Sequence, residues 1–216
     1  MVDVIWRGHA CFELRGRSVV IVIDPFRGIG LPEPVAKADI VLCSHSHADH
    51  NNADPVKKRS GHVLEGFTGS RKIGDVSVVG IASFHDDVEG DRRGKNSIYV
   101  FSLDDVRFCH LGDLGHDLSS NDVDDIGKIE VLFVPVGGFF TIGSSLATSV
   151  SEKLNPKITI PMHYRMPGMS PRFNALSTVD DFIKGKANVK KVEGPLLTVT
   201  KDEMPKETTI VVLSLN

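Results

Sequence analysis

The sequence predicts a single domain of the mixed α/β (α+β) class. Its 216 residues are enough for one domain with a sizeable core, and 41% of them are hydrophobic. Short apolar runs of strand length recur along the chain, separated by turn residues, while helical patterns are few. No internal repeat, low-complexity tract or linker divides the sequence. We therefore expect one domain over residues 1–216.

Segments rich in β-branched and other apolar residues predict most of the fold. The predicted strands are residues 2–6, 11–14, 19–24, 39–43, 76–82, 97–103, 106–110, 129–136, 157–161, 192–200 and 208–215. The pair Asp104-Asp105 predicts a hairpin turn between two of them, because aspartate tolerates turn conformations.

Three helices are predicted. The first spans residues 144–154, with Ser144 or Ser145 as its N-cap and Asn155-Pro156 as its end. The second spans residues 177–184 and ends near Gly185, and a short third helix spans residues 53–59.

Composition excludes several classes of partner. The formal net charge is −3, so the chain lacks the overall positive field that favours nucleic acid or acidic lipid. No apolar run approaches the ~20 residues that span a bilayer, and the N-terminus has no apolar signal segment. The three cysteines, Cys11, Cys43 and Cys109, form no CxxC pair. These features predict a cytoplasmic protein with no nucleic-acid or membrane partner.

The most informative segment directly follows the apolar run 40–43. It places His45, His47, Asp49 and His50 within six positions. Imidazole nitrogens and carboxylate oxygens are the ligands that zinc and similar divalent ions prefer. A polar loop cluster is the alternative interpretation, but the segment favours a metal site.

Three further candidate ligands also follow apolar strands. They are His85, Asp113 and His163. Side chains at strand ends are held by rigid backbone and can converge where loops leave a sheet. Taken singly, they could be a surface residue, a turn aspartate and a core histidine, whereas the shared pattern favours metal ligands.

The ordered motifs together resemble the metallo-β-lactamase superfamily. HxHxDH, a lone His, an Asp after Gly and a late His follow its ligand series. The resemblance is closest to the branch of Zn-dependent hydrolases that includes ascorbate-6-phosphate lactonase-like and N-acyl-phosphatidylethanolamine phospholipase D-like proteins. The supporting motifs are Gly8-His9-Ala10-Cys11-Phe12, Ile23-Asp24-Pro25, Gly112-Asp113-Leu114-Gly115-His116, Pro135-Val136-Gly137-Gly138 and Pro161-Met162-His163-Tyr164.

This resemblance implies a four-layer αββα sandwich with two metal ions at one edge. By analogy, the first ion would be bound by His45, His47 and His85, the second by Asp49, His50 and His163, and Asp113 would bridge them. Two divalent ions about 3.5–4 Å apart would hold a hydroxide that attacks the scissile group. Zinc suits these ligands best, and manganese or iron is also compatible.

Other residues are candidates for roles around the metals. Asp49 could orient the nucleophile, and His116 could orient substrate or protonate a leaving group, or serve only as a turn histidine. His9 and Asp24 could support the ligands. Gly138 could bring a backbone N–H to substrate, and Arg92 and Arg165 could bind a phosphate or carboxylate, although single arginines are often only solvated charges.

The sequence thus predicts a metal-dependent hydrolase acting on an ester-type bond, such as a phosphodiester or phosphorylated lactone. The expected substrate is a small soluble molecule that can be anionic, and a homo-oligomer is compatible with the sequence. A nuclease or thiolesterase of the same superfamily, or a non-catalytic metal-binding protein, is the alternative.

Overall fold

A computed structural model describes residues 1–215 of the chain. Within them lie fourteen strands, which we number in chain order: β1 (Val2–Gly8), β2 (Cys11–Arg15), β3 (Val20–Ile23), β4 (Ala38–Cys43), β5 (Lys57–Glu65), β6 (Gly69–Ile73), β7 (Val76–Phe84), β8 (Lys95–Leu103), β9 (Val106–His110), β10 (Val131–Pro135), β11 (Ile158–Met162), β12 (Val189–Lys191), β13 (Leu196–Val199) and β14 (Thr209–Val212). The helices of the same residues are α1 (Ser120–Ile126), α2 (Ser144–Leu154) and α3 (Val179–Ile183).

The strands form two sheets. The first has the order β13-β1-β2-β3-β4-β5, and the second has the order β12-β14-β11-β10-β9-β8-β7-β6. The main core lies between them. Successive side chains of a strand point to opposite faces of its sheet, so every second residue of a strand faces this core. Ile21, Ile23, Ile40 and Leu42 face this core, whereas Val22 belongs to a second cluster on the opposite face of the first sheet.

The outer faces of the two sheets are covered differently. Helix α2 packs on β10, and α3 packs on α2, so helices cover the second sheet. The second cluster on the first sheet is completed by residues from irregular segments, including Phe26, Ile29, Phe173 and Leu176. The predicted mixed α/β sandwich is confirmed, with loops and a short 3-10 turn (Pro171–Phe173) over the first sheet.

Strand direction explains why the candidate ligands can meet. β1 and β3 are both antiparallel to β2, and β4 is parallel to β3, so β1, β3 and β4 all run the same way. In the second sheet, β7 and β9 are both antiparallel to β8, while β10 is parallel to β9 and β11. β7, β9 and β11 therefore also share one direction, and their carboxyl ends lie at one edge.

The predicted helix over residues 53–59 is wrong. Residues 53–57 make one turn, in which the Lys57 N–H donates to the Ala53 carbonyl at 3.0 Å, and then β5 begins. From that point pairing with β4 outweighs the local helical pattern, since Ala38 pairs with Lys57. The first predicted helix has the bounds expected, but its N-cap is Gly143 rather than Ser144 or Ser145.

The edge strands β5 and β6 were not predicted, because their sequences are polar. β5 reads KKRSGHVLE and β6 reads GSRKI, and both lie at sheet edges where one flank is solvated. No helix within residues 1–215 is long and apolar enough to cross a membrane.

Candidate metal centre

Candidate ligand residues from both sheets gather at the shared edge. His45, His47, Asp49 and His50 follow β4, and His9 and Asp24 follow β1 and β3. His85, Asp113 and His163 follow β7, β9 and β11 of the other sheet. A backbone hydrogen bond from the His163 N–H to the His9 carbonyl, 3.2 Å long, joins the two sheets at this edge.

One group of possible metal donors consists of three imidazoles. A ring nitrogen from each of His45, His47 and His85 lies within 4.8 Å of the others. Nε2 of His45 is 3.0 Å from Nδ1 of His47. His45 and His85 are buried, whereas His47 is exposed and borders an open cavity.

A second group contains both imidazoles and a carboxylate. Donor atoms of His9, Asp49, His50 and His163 also lie within 4.8 Å of one another. Three members, Asp49, His50 and His163, are those that the resemblance to the metallo-β-lactamase superfamily assigned to the second ion. His9 is an addition that the sequence predicted only as a supporting residue.

Asp113 lies between the two groups. Its Oδ2 is 3.0 Å from Nε2 of His85 and 3.1 Å from Nε2 of His50. The same oxygen is 3.2 Å from Nε2 of His163 and 3.8 Å from Nε2 of His45. One carboxylate oxygen thus faces imidazoles of both groups, which is the position required of a bridging ligand.

The buried histidines and carboxylates of this cluster shift one another's pKa values. Burial opposes ionisation of Asp113, but the surrounding His163, His50 and His85 outweigh it and hold the pKa of Asp113 well below its usual value. Burial also opposes protonation of His50, yet the carboxylates of Asp113 and Asp24 raise its pKa well above normal. Burial and the neighbouring His50 lower the pKa of His45 to about 3, so its ring is neutral. A neutral imidazole is the form that binds a metal.

Asp24 orients two of the histidines. Its Oδ2 lies 2.9 Å from Nδ1 of His50, its Oδ1 accepts the Ser44 N–H at 2.7 Å, and its Oδ2 accepts the Ser44 hydroxyl at 2.8 Å. Ser44 Oγ in turn lies 2.9 Å from Nδ1 of His45. Because a carboxylate only accepts hydrogen bonds, Nδ1 of His50 carries a proton and Nε2 points toward Asp113.

Asn96 holds the loop of Asp113, a role that no sequence motif indicated. Its Oδ1 accepts the Asp113 N–H at 2.9 Å, and its Nδ2 donates to the Leu111 carbonyl at 2.9 Å. The preceding Gly112 has a φ of 57°, and a Cβ there would lie 2.3 Å from Asn96 Oδ1. Only glycine fits this close approach.

The cluster fits metal ions. Oδ1 of Asp113 and both ring nitrogens of His9 are buried without a hydrogen-bond partner among residues 1–215. Such atoms are costly to bury, and a cation would satisfy them. Burial raises the pKa of Cys11, Cys43 and Cys109, and none of them joins a donor group in the described chain, so the ligands are nitrogen and oxygen.

A cavity of about 490 Å³ opens over the cluster. Its lining combines donor residues with aromatic and cationic side chains: His47, Asp49, His85, Arg92, Arg93, Asp113, Phe140, His163, Arg172 and Phe173. Arg172 and Phe173 lie in a 3-10 turn far along the chain, and no sequence pattern marked them as site residues.

Three residues that were predicted to contribute to the site do not line the cavity. Nε2 of His116 accepts the Phe84 N–H at 3.2 Å and Nδ1 lies 2.7 Å from the Asp117 carbonyl, so both nitrogens face backbone. The Gly138 N–H donates to the Ile142 carbonyl at 3.2 Å, within its own turn. His116, Gly138 and Arg165 are all outside the lining of the cavity, whereas the predicted Arg92 is part of it.

Comparison with known proteins identifies the family. A family model described as the β-lactamase superfamily domain matches residues 3–163. The chain belongs to the β-lactamase superfamily. This membership confirms the family that the ordered histidine and aspartate motifs indicated.

Relatives in the superfamily support the assignment of this chain to it. A metal-dependent hydrolase of Thermococcus onnurineus, of the UPF0173 group, is 33% identical over 192 residues, which cover 76% of this chain and 85% of the relative. Another from Archaeoglobus fulgidus is 29% identical over 193 residues, covering 76% and 83%. A Thermotoga maritima structure, assigned to the metallo-β-lactamase superfamily as a Zn-dependent hydrolase, is 38% identical with a TM-score of 0.84 and full coverage of both chains. The predicted enzyme class, a metal-dependent hydrolase, is confirmed.

Proposed function

We propose that this chain hydrolyses an ester-type bond in a small anionic substrate, using two divalent metal ions. The supporting observation is the position of Asp113 between two separate donor groups. Three imidazoles on one side and a mixed group on the other each offer enough donors for an ion. A single mononuclear site would leave one of the groups unexplained.

Zinc is the ion that the donors favour. Imidazole with carboxylate is a common zinc ligand set, and manganese or iron also accepts it. When bound, such a pair of ions supplies Lewis acidity and lowers the pKa of water, so that a nucleophile exists near neutral pH. The protein's part is to hold the donors rigid, which it does by placing them at strand ends and bracing them with Asp24 and Asn96.

The charge at the rim of the cavity supports an anionic substrate. The guanidinium of Arg93 lies 5.1 Å from the ring centroid of Phe140, and that of Arg172 lies 4.6 Å from that of Phe173. Stacking on an aromatic ring orients a guanidinium and leaves its N–H groups free to bind oxygens. Arg172 Nη2 is also 3.9 Å from Asp49 Oδ2, so it lies beside the reacting centre.

The loop carrying Arg93 is held in place by one carboxylate. Asp86 accepts the N–H groups of Val88, Gly90, Arg92 and Arg93 at 2.7–3.0 Å. These four bonds outweigh the effect of desolvation and lower the pKa of Asp86 to about 2, so it stays ionised. A cation presented from such a loop is preorganised, which favours binding of a phosphoester or carboxylate-bearing substrate.

The first test is metal content. Protein produced with excess zinc should contain two ions per chain by elemental analysis, and His47→Ala and Asp113→Ala should each lower that number. Fewer than two ions per chain in the unmodified protein would contradict the proposal. Activity retained in full by both variants on any substrate found would contradict the mechanism.

The second test is a hydrolysis screen with phosphodiester, lactone and thioester substrates. For an anionic substrate, Arg172→Gln should raise KM about 10- to 100-fold, since a hydrogen bond to a charged group contributes about 1.5–3 kcal/mol. Arg71→Gln is the matched control, because Arg71 is exposed on β6 and outside the cavity lining. An equal KM in the two variants would argue against an anion-binding rim, while the metal content would still test the centre.

A further inference from the structure

His9 is held in an unusual position at the end of β1. Its side chain is fully buried and its φ is 54°, in the left-handed region that non-glycine residues seldom adopt. Its carbonyl accepts hydrogen bonds from Trp6 Nε1 at 3.1 Å and from the His163 N–H at 3.2 Å. Strain of this kind is retained where the surroundings require one orientation of the residue.

The imidazole of His9 has no hydrogen-bond partner among residues 1–215. Both Nδ1 and Nε2 are buried and unpaired, and the nearest carboxylate oxygen, Asp49 Oδ2, is 3.6 Å from Nε2. Burying such a polar group unpaired costs about 1–3 kcal/mol. The structure therefore places an unpaired donor atom in its interior, directed toward the candidate metal centre.

Two other imidazoles crowd this ring. The centroid of His9 lies 4.1 Å from that of His163 and 5.1 Å from that of His50. Imidazoles packed against one another and beside a carboxylate are a favourable arrangement for a cation shared among them.

We infer that His9 is a ligand of the second metal ion, together with Asp49, His50 and His163. The inference rests on the proposed two-metal function. Donor atoms of these four residues lie within 4.8 Å of one another. Donors bound to one zinc ion at about 2.0–2.2 Å lie about 3.3–3.6 Å apart in tetrahedral coordination and at most about 4.4 Å apart on opposite sides of the ion, so the most distant donors would move closer together when the ion binds.

This assignment would give the two ions different numbers of protein ligands. The first would have His45, His47 and His85, and the second would have four residues, with Asp113 shared. His9 and His50 lie outside the lining of the cavity, so they would enclose the second ion from the interior. The first ion would have fewer protein ligands than the second.

A hydrogen bond from His9 to Asp49 is the competing role. In that case His9 would only orient Asp49, and replacing it should weaken metal binding by about 10- to 100-fold, as for other partners of a ligand, without changing the coordination of the ion. The size of the loss and the spectrum of the bound ion therefore separate the two roles.

The test is zinc binding by His9→Gln, followed by chelator competition and by the visible spectrum of the cobalt-loaded protein. Loss of a ligand should weaken one of the two equivalents by more than about 100-fold, which exceeds the effect of losing an outer partner, and should change the spectrum of that equivalent alone. Two equivalents bound as in the unmodified protein would overturn the inference. Fewer than two ions in the unmodified protein would instead refute the proposed two-metal function.

The matched control is His110→Gln. His110 is equally buried, but Nε2 lies 2.9 Å from the Ala10 carbonyl and Nδ1 accepts the Gly112 N–H at 3.1 Å. Nδ1 of His110 also lies 3.9 Å from Asp24 Oδ2, but His110 belongs to no donor group, so this variant should keep both equivalents with a smaller loss of affinity than His9→Gln. Equal losses in the two variants would overturn the inference. A measurement without substitution is anomalous diffraction from zinc-loaded crystals. A His9 ring nitrogen at about 2.0–2.1 Å from the second ion supports the assignment, and an intervening water overturns it.

Discussion

Replacing Asp24 by asparagine should selectively damage the second metal site. The carboxylate is fully buried and accepts from Ser44 N–H, Ser44 Oγ and His50 Nδ1 at 2.7–2.9 Å. Asparagine keeps one acceptor, which can still receive the Ser44 N–H, but it places an NH₂ group where Oδ2 was. That group would face the Nδ1–H of His50, donor against donor.

The size of the effect follows from this contact. A hydrogen bond to a charged group contributes about 1.5–3 kcal/mol, which corresponds to about 10- to 100-fold in affinity. His50 can avoid the clash by moving its proton to Nε2, but Nε2 then cannot bind a metal. Ser44 Oγ can accept from both the new NH₂ group and the Nδ1–H of His45, so His45 should be affected less. We expect a loss of about 10- to 100-fold in affinity for one zinc equivalent.

The assay is competition with a chelator of known affinity, together with thermal unfolding of the metal-free protein. Asp39→Asn is the matched control, because Asp39 lies on β4, accepts the Val20 N–H at 2.9 Å and the Lys58 ammonium at 2.7 Å, and is remote from the donors. Equal zinc affinities in Asp24→Asn and Asp39→Asn would refute this account of His50.

Further predictions concern metal removal and the Asp113 loop. Chelation should lower the melting temperature and reloading should restore it, because a ligand present at about 100 times its Kd stabilises the folded state by about 2.7 kcal/mol; an unchanged melting temperature would contradict metal binding to the folded state. Gly112→Ala should lower the free energy of unfolding by more than Gly74→Ala, measured by urea unfolding. Both glycines have a φ of 57°, but a Cβ at Gly112 would meet Asn96 Oδ1 at 2.3 Å, whereas a Cβ at Gly74 has nothing within 4 Å. The left-handed strain of about 1–2 kcal/mol is common to both, so a similar loss in the two variants would show that the loop absorbs the clash.

The interior strands were predictable because their signals are local. β3, β4, β10 and β11 are apolar runs of strand length that are buried along nearly their whole length, so their residues favour that environment without reference to partners. β5 was not predictable, since its polar residues are strand-forming only through pairing with β4. The same reason explains the wrong helix over residues 53–59.

The site also contains residues that the sequence predicted and residues that it did not. Asp24 was recognised from its motif, and its three hydrogen bonds suit the supporting role that was expected of it. Asn96 and Arg172 carry no local signal, because an isolated asparagine or arginine in a strand or turn is common. Asn96 lies beside Asp113, which is 17 residues away in sequence. Arg172 lies beside Asp49 because a distant 3-10 turn carries it there.

The sequence alone determined the kinds of donor atoms and their positions after strands, because side-chain chemistry and strand propensity are local properties. The tertiary structure decided which donors meet. Parallel directions of β1, β3 and β4 in one sheet, and of β7, β9 and β11 in the other, bring their ends to one edge. His9 joins Asp49, His50 and His163 only there, since proximity between residues far apart in sequence depends on sheet pairing and packing.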